Sequence, residues 1–157
     1  MRDLKRLNIN VGGNPVRSLP PSENMVEEFQ NKYSIKLPSD YLTLLNFSNG
    51  GHPELDTVKP SEGSDVSPKS IDHFLRLDGN KDDSESIWKA MDDWTPIIGR
   101  KMLVFAFDPG GNPFFIDTET TNEPVKYCLH DAGFNVVKVS SSFHKFIDSL
   151  EKNGEYI

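Results

Sequence analysis

The chain has 157 residues and a net charge of −7, the size of one domain with enough interior to hold itself together without covalent staples. Its single cysteine, Cys128, excludes an intrachain disulfide framework and a multi-cysteine zinc site, and a reducing, cytoplasmic setting is expected. The acids are concentrated in residues 54–93, which hold eleven acidic against five basic side chains, so nucleic acid is disfavoured and basic partners are favoured.

Residues 1–21 open with the basic Met1-Arg2-Asp3-Leu4-Lys5-Arg6-Leu7, but no long apolar segment follows, so a secretory leader is not expected. Leu7 to Val11 alternates apolar and polar as a half-buried edge strand would, or forms a loosely held arm, with Gly12-Gly13-Asn14-Pro15 as its stop. Ser22 offers an N-cap for a helix over 22–33, with Met25, Phe29 and Tyr33 on one face. Pro38 suits the first turn of a second helix carrying Tyr41, Leu44, Leu45 and Ser48 inward, with Asn49-Gly50-Gly51 as a left-handed C-cap.

From His52 to Gly79 the chain is polar, with Pro60 to Asp65 as a mobile loop and candidate strands at 55–58 and 71–77. Ser84 is the expected cap of a third helix bearing Ile87, Trp88, Met91 and Trp94, stopped by Pro96. Residues 102–107 are nearly all apolar and read as a strand covered on both faces. Asp108 to Asn112 is turn chemistry, strands follow at 114–117, 125–130 and 135–139, and Ser141 or Ser142 caps a last helix with Phe143, Phe146, Ile147 and Leu150 inward. Residues 151–154 read as a plain stop. No apolar run approaches the roughly 20 residues of a membrane span. The pattern predicts a single α+β domain, an antiparallel-rich sheet with helices packed against it.

No catalytic set stands out. Cys128 and His130 share a strand face, which a Cys–His nucleophile would need, but no oxyanion motif or orienting third group accompanies them. Asp108, Asn112 and Asp117 lack calcium-loop spacing and read as turn formers. His52 and His73 lack ligand spacing, and the glycine turns lack the features of a phosphate loop or a dinucleotide fingerprint. No metal or cofactor is expected. The segment 78–94 is the candidate recognition patch: Asp78, Asp82, Asp83, Glu85, Asp92 and Asp93 surround Trp88 and Trp94, as charge rings aromatic anchors at an interface. The plainer alternative is a capped amphipathic helix with Trp88 in the core and the acids in water.

The segments Val26-Glu27-Glu28-Phe29, Leu37-Pro38-Ser39-Asp40-Tyr41 with Leu44-Leu45, Asn49-Gly50-Gly51, Phe107 to Phe114 with Ile116-Asp117, and Val139 to Ile147 together resemble the SUKH superfamily. That group joins fungal cell-wall glucan-synthesis regulators to bacterial toxin-immunity proteins. The resemblance spans about residues 22–150 and departs from the family where Pro109 and Pro113 flank the glycine turn. It implies an α+β protein-binding module with no catalytic residues, acting as an immunity protein. The implied partner is a cognate toxin domain, such as a nuclease or deaminase, and the acidic middle suits a basic one. The alternative it implies is a regulatory scaffold related to the cell-wall synthesis regulators.

Overall fold

A computed structural model describes residues 1–10, 19–60 and 67–152. Four helices, α1 (Glu23–Tyr33), α2 (Ser39–Phe47), α3 (Ile87–Ile98) and α4 (Phe143–Ser149), pack with an antiparallel sheet of β3 (His73–Phe74), β4 (Met102–Phe107), β5 (Pro113–Asp117), β6 (Val125–Leu129) and β7 (Asn135–Ser140) in that order. A separate two-residue ladder pairs β1 (Thr57–Val58) with β2 (Lys69–Ser70). This is the single α+β domain that the sequence predicts.

The local chemistry explains most of the boundaries. Ser22 accepts from the Met25 amide at the start of α1, and Ser142, of the two candidates, accepts from the Lys145 amide at the start of α4. Short connections join β4 through β7, so neighbours in sequence pair as an antiparallel meander. Between Val104 and Ala106 the β4–β5 register slips, and Phe105 sits there fully buried. Its ring meets Phe143 edge-on at 5.3 Å, Phe146 at 5.5 Å and Tyr41 at 6.2 Å, which draws α2 and α4 onto the sheet around one aromatic centre.

Several expectations are corrected. Pro38 occupies the N-cap of α2, one place before its first turn, and the helix ends at an extended Ser48 rather than on a left-handed glycine cap. Asn49 has a different task. Fully buried, it accepts from the Leu77 amide at 2.8 Å and donates to the carbonyls of Leu77 and Leu19, both at 2.9 Å, thereby pairing backbone groups that belong to no ladder. The candidate strand 71–77 is broken, with only His73–Phe74 paired as β3. Ser86, two residues beyond Ser84, caps α3. Pro96 lies inside α3, which runs on to Ile98; the carbonyl its ring leaves unpaired belongs to exposed Asp92, where water reaches it.

The alternation at 7–11 does not make a strand over its described part. Leu4–Leu7 is a 3-10 turn that buries Leu4 and Leu7, three residues apart, and Asn8 and Asn10 take left-handed φ of 48° and 59°. Arg2 ties this turn to α4, its amide donating to Asp148 and its guanidinium to the Leu150 carbonyl at 2.7 Å. Nor is 151–152 a plain stop: Glu151 and Thr57 exchange two backbone hydrogen bonds of 2.9 Å, and Lys152 pairs with Glu54. Gly12 to Pro15, residues 61–65 of the candidate loop and Asn153-Gly154 lie outside the described residues.

Candidate functional site

The eight residues of the candidate patch separate into distinct environments. Asp78, Asp83 and Glu85 converge on one cation, Arg76, whose side chain is only 12% exposed. Nε donates to Asp78 at 3.1 Å, while the two terminal nitrogens donate to Glu85 and Asp83. Burial works against the Arg76 charge, yet the hydrogen bonds and the carboxylates outweigh it and hold the guanidinium above its ordinary range. The backbone supports the cluster, since Arg76 donates to the Glu85 carbonyl and accepts from the Ile87 amide. Gly50 makes room for it: a Cβ there would lie 2.5 Å from Arg76 Cγ, and φ of +97° already favours glycine.

Trp88 is 1% exposed and belongs to the core, its indole N–H donating to the Asp78 carbonyl and its ring edge-on to Phe29 at 5.2 Å. Lys81, paired with Glu28, covers it with Nζ 4.3 Å from the ring centroid. Asp82 stands exposed beside this group.

Asp92, Asp93 and Trp94 form a third group on α3. Asp92 accepts from the Tyr33 hydroxyl at 2.7 Å, and burial together with this carboxylate pushes the Tyr33 hydroxyl up. Asp93 pairs with Lys89 one turn back at 3.0 Å. Trp94 is half-buried, edge-on to Phe134 at 6.3 Å. The sequence reading missed three exposed apolar neighbours of this group: Ile97 at 45%, Phe134 at 49% and Val136 at 46%. Ala90, Asp93, Trp94 and Ile97 share one face of α3 by their spacing. Phe134 follows Gly133 in the β6–β7 turn with a left-handed φ of 59°, a position a bulky residue takes only when its surroundings hold it there.

Beside that helical face lies a cleft of about 330 Å³, lined by Lys89, Ala90 and Asp93 of α3, Asp72 and His73 at β3, Ser84, and Phe107, Asp108, Pro109 and Gly111. The 108–112 turn is tightly organised: Asp108 accepts from the Asn112 amide at 2.8 Å, from its side-chain amide at 3.0 Å and from the Tyr127 hydroxyl. Asn112 in turn accepts from the His130 amide at 2.9 Å.

The other candidate chemistries are taken apart by the fold. Cys128 is fully buried, and burial pushes its thiol up, opposite to what a nucleophile needs. His130 leaves the strand into a 3-10 turn and its ring contacts Asn112. At Asp117, burial alone would raise the carboxyl, but hydrogen bonds from Thr120, Lys126 and the Glu119 amide outweigh it and hold it below the ordinary carboxylate range. Among the described residues no three His, Cys, Asp or Glu side chains gather as metal ligands. No described helix is long and apolar enough to cross a membrane.

The element order, a helix pair followed by an irregular acidic stretch, a third helix, an antiparallel meander and a closing helix, defines a single α+β domain. The chain belongs to the SMI1 / KNR4 family (SUKH-1), whose family model matches residues 20–149. That family includes toxin-immunity proteins. No curated protein matches the chain.

Proposed function

We propose that this protein is a bacterial immunity protein that binds and neutralises a cognate toxin domain of a polymorphic or contact-dependent system. Binding occurs through the outward face of α3 and the adjoining β6–β7 turn. The observation that carries this reading is the exposure of Ile97 and Phe134 around half-buried Trp94, next to the carboxylates of Asp92, Asp93 and Asp131. An apolar centre with a charged margin is the composition of a protein interface, and contiguous apolar exposure, here the Phe134 ring against Trp94 with Ile97 one turn on, marks interaction sites. The acids suit a basic toxin, such as a nuclease whose nucleic-acid groove attracts carboxylates as it attracts phosphates. Family members are generally non-catalytic, and the protein acts by occupying its target.

The test is affinity capture from the native host's lysate and secretions, followed by binding measurements with the recovered partner. A stoichiometric toxin domain whose affinity falls at least about tenfold with Ile97→Asp or Phe134→Ala supports the proposal. Replacing Asp92, Asp93 and Asp131 by Asn should slow association most at low salt. Recovery of housekeeping proteins alone refutes the immunity role, and affinity indifferent to Ile97 and Phe134 refutes this face as the interface.

A further inference from the structure

We infer that a basic groove around Ser34 and Lys101 takes an acidic segment of the protein partner, an inference that rests on the interface reading above. Two hollows of about 420 and 360 Å³ meet there, with Ser34 and Lys101 as their common wall. Both wall residues have left-handed φ, 53° and 65°, and the Thr118 amide holds the Lys101 carbonyl at 3.1 Å. Lys36 lines the wider hollow, Lys32 and Arg100 line its neighbour, and one carboxylate, Glu123, stands against these four cations. The chain as a whole has 24 acidic and 17 basic side chains, so this local excess runs against its composition. Elsewhere the cations are engaged: Arg76, Lys81, Lys89, Lys126 and Lys152 each hold a carboxylate. Lys32 lies 3.9 Å from Asp92 and over the Tyr33 ring, so it borders the groove with its charge partly met. Lys36, Arg100 and Lys101 are exposed and pair with no carboxylate among the described residues.

The start of α2 strengthens the same field. Pro38 at its N-cap gives the first amides no side-chain acceptor, so the positive end of the helix dipole is left beside Lys36. One exposed ion pair is worth little, and a single carboxylate would not stay. A segment with several carboxylates meets three cations in one ordering event, and the planar Arg100 fork suits a carboxylate in two-point contact. A nucleic-acid strand fits less well, because its charge continues past the groove onto a surface whose net charge is negative. The groove lies where α3 ends, with Arg100 three residues beyond exposed Ile97, so a partner seated on Ile97 and Phe134 can lay a segment along it. Asp93 and Asp131 on one flank and these cations on another then fix which way round the partner docks.

The probe is acetyl-hexaglutamate amide, titrated into the 15N-labelled protein at about 20 mM salt, where screening is weak over about 20 Å. The controls are the hexaglutamine peptide and sodium sulfate at matched ionic strength. Saturating shifts at residues 32–39, 100–101 and 118 support the assignment when they are at least about tenfold weaker with hexaglutamine and about fivefold weaker at about 150 mM salt. Lys36→Gln, Arg100→Gln and Lys101→Gln together, all at exposed side chains, should weaken peptide binding about tenfold or more, and Arg100→Gln alone about threefold. Equal binding of hexaglutamine, a response to sulfate as strong as to the peptide, shifts confined to other surfaces, or no saturable shift overturns it. A recovered partner that binds the triple variant as tightly as the native protein overturns it as well. The peptide titration needs no partner, so its failure condemns the groove alone, whereas partner binding indifferent to Ile97 and Phe134 condemns the interface.

Discussion

Replacing Arg76 by Met removes the charge on which Asp78, Asp83 and Glu85 converge while keeping most of the stem that lies against Gly50. Taking one partner from a buried ion cluster costs about 3–5 kcal/mol when the survivors stay dry. Here the three carboxylates are between a quarter and a third exposed and regain water, which brings the expected loss to about 2–3 kcal/mol. In a chain of this size that is a fall in Tm of about 5–10 °C, and urea titration should show it as a lower midpoint with an unchanged slope. The decisive reading is a change of sign. In the native background Asp83→Asn with Glu85→Gln should destabilise, because it strips the guanidinium of acceptors. In the Arg76→Met background the same pair should stabilise, because it relieves like-charge repulsion. If the pair destabilises equally in both backgrounds, the carboxylates serve the fold through backbone hydrogen bonds and the ion cluster is not what they are for.

Asn49→Ala should cost about 2–4 kcal/mol in the same urea assay, because the Leu77 amide and carbonyl lose their buried partner together. Asp117 has a folded-state pKa below the unfolded one, so its contribution is complete above the unfolded value near 3.8 and is lost as pH falls through the lower, folded value. Asp117→Asn should therefore lower stability by about 2 kcal/mol at pH 7, with the gap to wild type constant down to about pH 5 and closing below about pH 4; a gap that widens in acid contradicts the assignment. Cys128 should react with a disulfide reagent about a hundredfold or more slower in the native protein than in urea, and rapid native reaction would show that β6 opens readily.

What could be read from the sequence follows from how local each signal is. The spacing of Phe143, Phe146, Ile147 and Leu150 defines α4 without help from the rest of the chain, as the unbroken apolar run of β4 does for a doubly buried strand. Caps are local too, but Ser84 and Ser86 both satisfy the rule, and only the pairing of Arg76 with the Glu85 carbonyl and the Ile87 amide selects Ser86. The alternation at 7–11 misleads because distant segments hold this stretch, Arg2 by Asp148 and Leu150, the Leu7 carbonyl by the Glu54 and Leu55 amides and Asn10 by the His52 carbonyl. In the candidate patch the acids are visible as residues, but their division is not: a single arginine outside the patch claims three of them, and Trp88 is drawn inward by Phe29. The exposure of Ile97 and Phe134 leaves no pattern in sequence at all, since an apolar side chain reads as core until the surface around it is known.

The tie between Arg2 and the end of α4 has a consequence for when the protein becomes competent. These contacts join residues 146 and 148 positions apart, so on a translating ribosome the first turn is made and then waits for almost every other residue. Phe105 likewise emerges long before Phe143 and Phe146, the rings that enclose it. At about 5–20 residues per second the nascent chain spends seconds with its aromatic centre uncovered, a window in which chaperone binding competes with collapse. The finished domain then closes in one late step, as α4 arrives and both early elements find their partners together. Any binding surface that depends on the packed core therefore becomes available only once α4 has joined it.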